Sequence, residues 1–247
     1  MPSRPLHPRQ LLLSPRHVEV LRREIADPGP RLLPGFRPAT DEDYERTVDA
    51  MISSAPPEGF WVFAYGSLIW NPEFEHEERQ VVLAHGWRRA FCLGWDYRFR
   101  GNADTPGLML ALDRGGQCTG VAYRLPADRL SENLHRLIRR EMSMVPSAFP
   151  WRWIGVRTQQ GMLKALTFAM NRKSGRYVSG LSDEALADML ASACGFRGSM
   201  CEYLYATVSH LEELGIRDRH LWKLQAMVAE RVERRMAEIS QADAAAS

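Results

Sequence analysis

The sequence predicts an α+β fold, because strand-like segments fill the middle of the chain and helical patterns fill its end. Seven segments have the apolar, β-branched and aromatic composition that is typical of strands, and one helical pattern interrupts them. Strands followed by helices, without regular alternation of the two, favour an α+β protein over a doubly wound sheet. The predicted strands are residues 61–65, 80–84, 89–94, 108–112, 118–124, 151–158 and 162–170.

The region before the first strand is rich in proline and is expected to form a helical extension of the main domain. Ser14 followed by proline is typical of a helix start, and we expect this helix to continue to about Ala26. Thr40 caps a second helix, which is expected to end near Ser53. The predicted parts are a helical extension over 1–58, the main domain over 59–240 and a disordered tail over 241–247.

Turn and capping residues separate the remaining elements. Gly115-Gly116 predicts a hairpin turn between two central strands, and residues 159–161 predict a turn between the last two. A helix over residues 127–145 lies between these two groups of strands. The last part of the chain holds three helices with capping residues at their starts and glycine after the first two. The starts are Ser182, Ser199 and Asp218, and the glycines are Gly195 and Gly215.

Composition argues against nucleic-acid and membrane partners. The 247 residues carry a formal net charge of +2, so no strongly basic surface is expected. Residues 95–100 interleave aromatic and arginine side chains, which would suit base stacking, but a strand with a loop is the preferred interpretation. The longest apolar run, residues 60–70, is too short to span a membrane, and residues 1–5 lack the apolar core of a secretory signal. We therefore expect a cytoplasmic protein.

Cysteine and histidine spacings indicate neither a metal site nor a cofactor. None of the cysteines forms a CxxC pair, and their apolar surroundings favour reduced core thiols. The seven histidines form no spacing of the HExxH type. We therefore expect no metal and no cofactor. The four cysteines are Cys92, Cys118, Cys194 and Cys201.

The most informative segment is residues 60–70, whose sequence is FWVFAYGSLIW. Its apolar start predicts a buried strand, and Gly66 then allows a sharp turn or a close approach of the backbone. Such a turn exposes backbone N–H groups and the Ser67 hydroxyl at one point, which makes a nest for a carboxylate or an oxyanion. The alternative is a core strand followed by a turn without a function.

Glu141 is an acidic residue on the apolar face of a helix. It follows Leu137 by four residues and Ile138 by three, so it points along the apolar stripe. Burial would raise its pKa toward neutrality, which is the condition that a general acid or base needs. The alternative is a structural ion pair with Arg89 or Arg152. The apolar positions of this helix are Leu130, Leu134, Leu137, Ile138, Met142 and Val145.

Several segments follow one another in an order that resembles a known family. They are the turn sequence FAYGSLIW, residues 86–91, 105–107 and 120–123, and the pair Arg140-Glu141. This order is similar to the ChaC family of γ-glutamylcyclotransferases, in particular its glutathione-specific branch, from about residue 61 to about residue 228. The resemblance implies a small mixed β-barrel flanked by helices. It also implies release of 5-oxoproline and cysteinylglycine from glutathione.

The resemblance implies the site residues as well. Glu141 would be the proton acceptor, Arg89 would match a family arginine with a structural ion-pair role, and Tyr177 would be a pocket tyrosine. The alternative for Tyr177 is an aromatic residue on a surface loop. The sequence departs from the animal pattern after Glu141, where Met142-Ser143-Met144 replaces a Gly-Gly-Tyr-like turn. The expected substrate-binding residues are Val62, Phe63, Ala64, Tyr65, Gly66, Ser67, Leu68 and Tyr177.

The chemistry of a γ-glutamyl amide suits this set of residues. The α-amine of the substrate is itself the nucleophile, so the protein needs no serine or cysteine nucleophile and no cofactor. One carboxylate that moves a proton and one group of N–H donors for negative charge would be sufficient. Two other functions stay open at this point: a cyclotransferase for other γ-glutamyl compounds, and a non-catalytic ligand-binding regulator linked to cation transport.

Overall fold

Five strands close into a barrel, in the order β2-β4-β3-β6-β7. The computed structural model describes residues 10–246, without the side chains of residues 239 and 243–246. The barrel is mixed, because β2 runs parallel to β7, whereas the pairs β2–β4, β3–β6 and β6–β7 are antiparallel. The predicted α+β fold with a small mixed barrel is therefore confirmed. The barrel strands are β2 (Trp61–Ala64), β3 (Glu78–Asp96), β4 (Gly107–Arg124), β6 (Trp151–Arg157) and β7 (Met162–Phe168).

The remaining elements are short strands and helices. The short strands are β1 (Arg37–Pro38), β5 (Met144–Val145), β8 (Cys194–Gly195) and β9 (Gly198–Ser199). The helices are α1 (Pro15–Val20), α2 (Asp41–Ser53), α3 (Leu130–Glu141), α4 (Asp183–Leu190), α5 (Met200–Glu213) and α6 (Arg219–Ala246), with 3₁₀ turns at Ser67–Ile69 and Ala127–Arg129. No helix in the described part of the chain is long and apolar enough to cross a membrane.

The chain divides into two compact units. Residues 31–93 and 110–177 form the first, which holds most of the barrel together with α2 and α3. Residues 10–30, 94–109 and 178–246 belong to the second, in which α1, α4, α5 and α6 pack together. Within this second unit, the buried amide of Gln225 accepts a hydrogen bond of 2.8 Å from the backbone N–H of Leu13. The predicted division of the chain at residue 58 stays a prediction.

The barrel interior is apolar, and alternation along each strand explains which residues fill it. Successive side chains of a strand point to opposite faces, so every second residue faces inward. β2 is buried on both faces, and all four of its residues are buried. The residues of the interior cluster are Trp61, Phe63, Val82, Ala84, Leu112, Cys118, Ala122, Ile154, Val156, Ala165 and Ala169, with Tyr65, Trp87 and Leu163 partly buried against them.

Two predicted breaks between strands are wrong. Residues 80–84 and 89–94 belong to the single strand β3, and the two central strands on either side of Gly115 and Gly116 belong to the single strand β4. These glycines have φ values of 106° and 71°, so the expected hairpin turn is a bend inside a continuous strand. Glycine adopts this conformation without a steric penalty, which explains why a turn signal lies in mid-strand.

Some helix ends differ from the predictions. α3 ends at Glu141 and not near residue 145, because residues 144–145 pair with β1 and Pro146 disfavours helical backbone before it. α1 ends at Val20 instead of Ala26, and α4 ends at Leu190 instead of residue 195. The backbone of residues 241–246 continues α6 where a disordered tail was expected, and residue 247 lies outside the described residues, as do residues 1–9.

We expect Gly120→Ala to destabilise the protein and Gly155→Ala to be tolerated. A methyl group at Gly120 would clash with the Ala64 carbonyl oxygen and lie 2.7 and 2.8 Å from two ring carbons of Phe63. Such overpacking costs about 1–3 kcal/mol. At Gly155 the nearest atom is the flexible methyl end of Met162, at 3.1 Å. Urea unfolding of both variants measures the difference, and equal midpoints would contradict this account of the β2–β4 packing.

Candidate active site

The strand β2 leads into a turn that presents backbone donors. After Ala64 the chain passes through Gly66, whose φ is −137°, into the 3₁₀ turn Ser67–Ile69. The N–H of Ile69 donates to the Gly66 carbonyl at 2.9 Å, which closes the turn. Within residues 10–246, no protein acceptor pairs with the N–H groups of Gly66, Ser67 and Leu68. Three donors therefore stand together at this point, as the nest interpretation requires.

Side chains from the barrel hold this turn in place. The buried Arg89 donates from Nε to the Tyr65 carbonyl and from Nη2 to the Thr119 carbonyl, each at 2.5 Å. The Tyr123 hydroxyl donates to the Ile69 carbonyl at 3.1 Å. Arg89 thus supports the turn through backbone carbonyls, because a charged donor satisfies two buried acceptors at once.

Glu141 is the last residue of α3, and 17% of its side chain is exposed. Burial raises the pKa of its carboxyl group to about 7. The positive charge of Arg140 opposes this shift, and the negative charge of Glu73 adds to it. A carboxyl group with a pKa near neutrality exchanges its proton readily at physiological pH, so Glu141 has the acid–base property that its position in the sequence predicted.

Arg140 connects the end of α3 to the 65–68 turn. Its Nε lies 3.1 Å from Oε1 of Glu141, and its Nη2 donates to the Ser67 hydroxyl at 2.9 Å. Its Nη1 donates to the Asn71 carbonyl and lies 3.2 Å from Oε1 of Glu73. One guanidinium therefore fixes the candidate base and the candidate donor turn relative to each other.

The alternative interpretation of Glu141 named Arg89 or Arg152 as a structural ion-pair partner, and the structure shows a different one. The carboxylate pairs with Arg140, its neighbour in the chain. Adjacent residues on a helix point in different directions, so Arg140 carried no pairing signal. The only feature of the sequence that pointed to Arg140 was its place beside Glu141 in the segments that resemble the ChaC family.

Glu73 is a second residue that the sequence prediction missed. It has φ of 57°, in the left-handed region that a non-glycine residue seldom adopts. Its Oε1 accepts a hydrogen bond of 2.8 Å from the Asn71 side chain and pairs with Arg140. Backbone strain of this kind persists where surrounding contacts impose it. Here those contacts belong to the residues around Glu141.

The structure gathers some of the expected binding residues and separates others. The side chains of Val62, Phe63 and Ala64 are fully buried. Of the expected residues in 62–68, only Tyr65 and Ser67 are partly exposed. The Tyr177 hydroxyl lies 3.5 Å from Oδ2 of Asp113, and neither this hydrogen bond nor its ring contact with an arginine involves the turn or Glu141. A binding role for each of these residues stays a prediction.

The described part of the chain shows no metal-binding cluster, and two of its cysteines are poor nucleophiles. No group of three or more histidine, cysteine or acidic side chains is arranged there to hold a metal ion. The four cysteines are buried, and burial raises the pKa of the Cys92 and Cys201 thiols to about 12. These two side chains are therefore protonated near neutral pH and are not nucleophiles.

We expect Arg140→Gln to raise the pKa of Glu141 further, because the substitution removes the positive charge that favours the ionised carboxylate. The measurement is a carboxyl NMR titration of ¹³C-labelled protein, with Glu141→Gln identifying the signal. Arg139→Gln is the matched control, since Arg139 lies on the same helix and pairs with Asp41. A pKa that falls or stays constant in Arg140→Gln would contradict the electrostatic role of Arg140.

A family model and the curated relatives of this chain indicate the same protein family. The model of the ChaC-like protein family (ChaC) matches residues 60–231. The chain is 37% identical over 179 residues to the glutathione-specific γ-glutamylcyclotransferase of Escherichia coli, covering 72% of this chain and 76% of that protein. It is 28% identical over 191 residues to the human glutathione-specific γ-glutamylcyclotransferase 1, covering 74% and 85%.

A solved structure supports the fold. The crystal structure of the yeast γ-glutamylcyclotransferase specific to glutathione superimposes with a TM-score of 0.62 at 20% identity. The superposition covers 70% of this chain and 96% of the yeast chain, and at this identity it bears on the fold alone. The matched region contains the barrel, the 65–68 turn and Glu141. This chain belongs to the ChaC-like protein family.

Proposed function

We propose that this protein is a γ-glutamylcyclotransferase that converts glutathione to 5-oxoproline and cysteinylglycine. The observation that carries the proposal is the placement of Glu141, a carboxyl group with a pKa of about 7, which Arg140 joins to the turn with the unpaired N–H groups. Membership of the ChaC-like family and the names of the relatives support the same activity.

The proposed reaction is an intramolecular acyl transfer. Glu141 accepts a proton from the α-ammonium group of the substrate, and the freed amine attacks the γ-carbonyl carbon to close a five-membered ring. The bond from that carbon to the cysteine nitrogen then breaks, and Glu141 returns its proton to the leaving nitrogen. The ring nitrogen gives up its second proton to the cysteine amine, which leaves as an ammonium group. No water is consumed and no covalent enzyme intermediate forms, so the atoms of glutathione equal those of the two products.

The 65–68 turn is proposed to bind negative charge. The N–H groups of Gly66, Ser67 and Leu68 would hold either the α-carboxylate of the glutamyl group or the oxyanion that develops at the γ-carbonyl. The Ser67 hydroxyl already accepts a hydrogen bond from Arg140, so it can donate its own proton to the substrate. Roles for Tyr65 and Tyr177 in substrate binding belong to the same proposal.

Two alternative functions make different predictions. A preference for other γ-glutamyl compounds is favoured by Met142-Ser143-Met144, which stands where animal relatives carry a different turn. A non-catalytic regulator has no need for a carboxyl group with a raised pKa beside a cluster of donors. Incubating the purified protein with glutathione and with γ-glutamyl dipeptides, and measuring 5-oxoproline, separates all three. A cytoplasmic location without nucleic-acid or membrane partners is part of the proposal.

We expect Glu141→Gln to lower 5-oxoproline formation by about 10²–10⁴-fold, the usual loss when a general acid–base group is removed. Glutamine keeps the size of the side chain but cannot cycle a proton. Glu132→Gln is the control, because Glu132 lies on the same helix and its side chain is 48% exposed. Circular dichroism checks that both variants fold. A folded Glu141→Gln protein with near wild-type turnover would exclude the proposed base.

We expect kcat/KM to rise with pH as a group with a pKa near 7 loses its proton. Glu141 accepts a proton only when it is ionised, so activity is low below its pKa and increases as pH passes about 7. Arg140→Gln should displace this acidic limb to higher pH, because it raises the pKa of Glu141. An acidic limb at or below 4.5, the ordinary value for a glutamate, would be incompatible with a buried base.

A further inference from the structure

Two arginines stack on one tryptophan in the barrel. The guanidinium carbon of Arg152 lies 5.5 Å from the centre of the Trp87 ring, and that of Arg114 lies 5.9 Å from it. The Nε atom of Arg152 is buried and has no hydrogen-bond partner among the described residues. Neither Arg114 nor Arg152 forms an ion pair with any carboxylate in residues 10–246. We call these three residues the Trp87 cluster.

Trp87 and Arg152 face the inside of the barrel, and Arg114 reaches the Trp87 ring from an exposed position on β4. Trp87 packs against the interior cluster, and Arg152 precedes the interior residues Ile154 and Val156 at the two-residue spacing of one strand face. The two guanidinium groups repel each other, and burial removes hydration from that of Arg152. Burial and the charge of Arg114 accordingly lower the pKa of Arg152. An anion between them would satisfy both charges and the unpaired Nε–H.

The cluster lies at the same end of the barrel as the candidate active site. β2 and β7 run parallel, and β6 runs antiparallel to β7, so the start of β6 adjoins the end of β2. Arg152 is the second residue of β6 and pairs with Thr167, whose hydroxyl donates to the Phe63 carbonyl at 3.0 Å. Two residues after Phe63, the chain enters the 65–68 turn.

Glu141 lies at this end as well, because Arg140 contacts both Glu141 and the Ser67 hydroxyl of the turn. Residues 142–150, which include β5, then connect α3 to β6. The candidate base, the donor turn and the Trp87 cluster are therefore grouped around one mouth of the barrel.

We propose that the Trp87 cluster binds the carboxylate at the glycyl end of the tripeptide substrate. The inference rests on the proposed function. Two residues separate the γ-carbonyl of glutathione from this carboxylate, a span of about 7 Å at ~3.5 Å per residue. The guanidinium groups of Arg114 and Arg152 present planar pairs of donors that match a carboxylate, and Trp87 holds both in position. This contact would distinguish the tripeptide from γ-glutamyl compounds that lack the terminal glycine.

The first test changes the substrate and leaves the protein intact. Kinetics of the wild-type protein are compared for glutathione and for its glycinamide analogue, in which the terminal carboxylate is a neutral amide. We expect kcat/KM to be about 10- to 100-fold lower for the amide, mainly through a higher KM, because a charge-assisted hydrogen-bond pair is lost. Equal kcat/KM values for the two compounds would overturn the proposal.

The second test changes the protein. The readout is kcat/KM for glutathione divided by kcat/KM for the glycinamide analogue. In Arg152→Gln this ratio should fall to about threefold or less, and in Arg114→Gln it should fall to an intermediate value. Arg157→Gln is the matched control and should keep the wild-type ratio, because Arg157 lies on β6 but is exposed on the opposite face. A wild-type ratio in folded Arg152→Gln would overturn the proposal. If Arg152→Gln does not fold, Arg152→Lys replaces it in the same measurement. This variant should retain part of the preference for glutathione over the glycinamide analogue.

The failure of this inference can be told apart from the failure of the proposed function. If the wild-type protein makes no 5-oxoproline from either compound, the proposed function fails. Calorimetric binding of glutathione and of the glycinamide analogue then tests the cluster by itself. Tighter binding of glutathione, lost in Arg152→Gln, would support the carboxylate site, and equal affinities would overturn it.

Discussion

The contact of Arg140 with both Glu141 and Ser67 is the interaction on which the candidate site depends. A carboxyl group at the end of a helix has little to fix its direction, and a short 3₁₀ turn has little to fix its distance from that helix. Arg140 supplies both constraints through one rigid guanidinium. Arg140 also limits the rise in the pKa of Glu141. Its positive charge stabilises the ionised carboxylate, whereas burial stabilises the protonated form.

Side chains of the barrel hold the backbone on both sides of the 65–68 turn. The turn begins where β2 ends, and the carbonyl groups at that point find donors in Arg89, Tyr123 and Thr167. The N–H groups of residues 66–68 have no protein acceptor in the described part of the chain. Arg89, Tyr123 and Thr167 thus bond the backbone around the turn, and the proposed proton transfer belongs to Glu141.

The sequence predicted the fold class and the approximate location of the barrel strands for identifiable reasons, and it singled out the two central features of the candidate site. Residues 60–70 and the apolar stripe of α3 carry strong local patterns, and the resemblance supplied the barrel. Pairing across the chain could not be read in the same way. Nothing local indicated that Arg140 would bend toward Glu141, that Glu73 would adopt a positive φ, or that Gly115 and Gly116 would bend a strand without reversing it. Each of these outcomes depends on neighbours that are distant in sequence.

The pairing of β2 with β7 has a consequence for how the site comes into existence. About 100 residues separate Val62 from its partner Leu166, so barrel closure is a long-range event that local folding cannot replace. Until β7 has docked, β2 is an open sheet edge, and the turn that follows it is attached to an unfinished surface. Assembly of the site is therefore coupled to completion of the barrel. A growing chain in which residues 162–168 have not yet been synthesised already contains the 65–68 turn, Arg140 and Glu141. It does not yet have the closed barrel that aligns them.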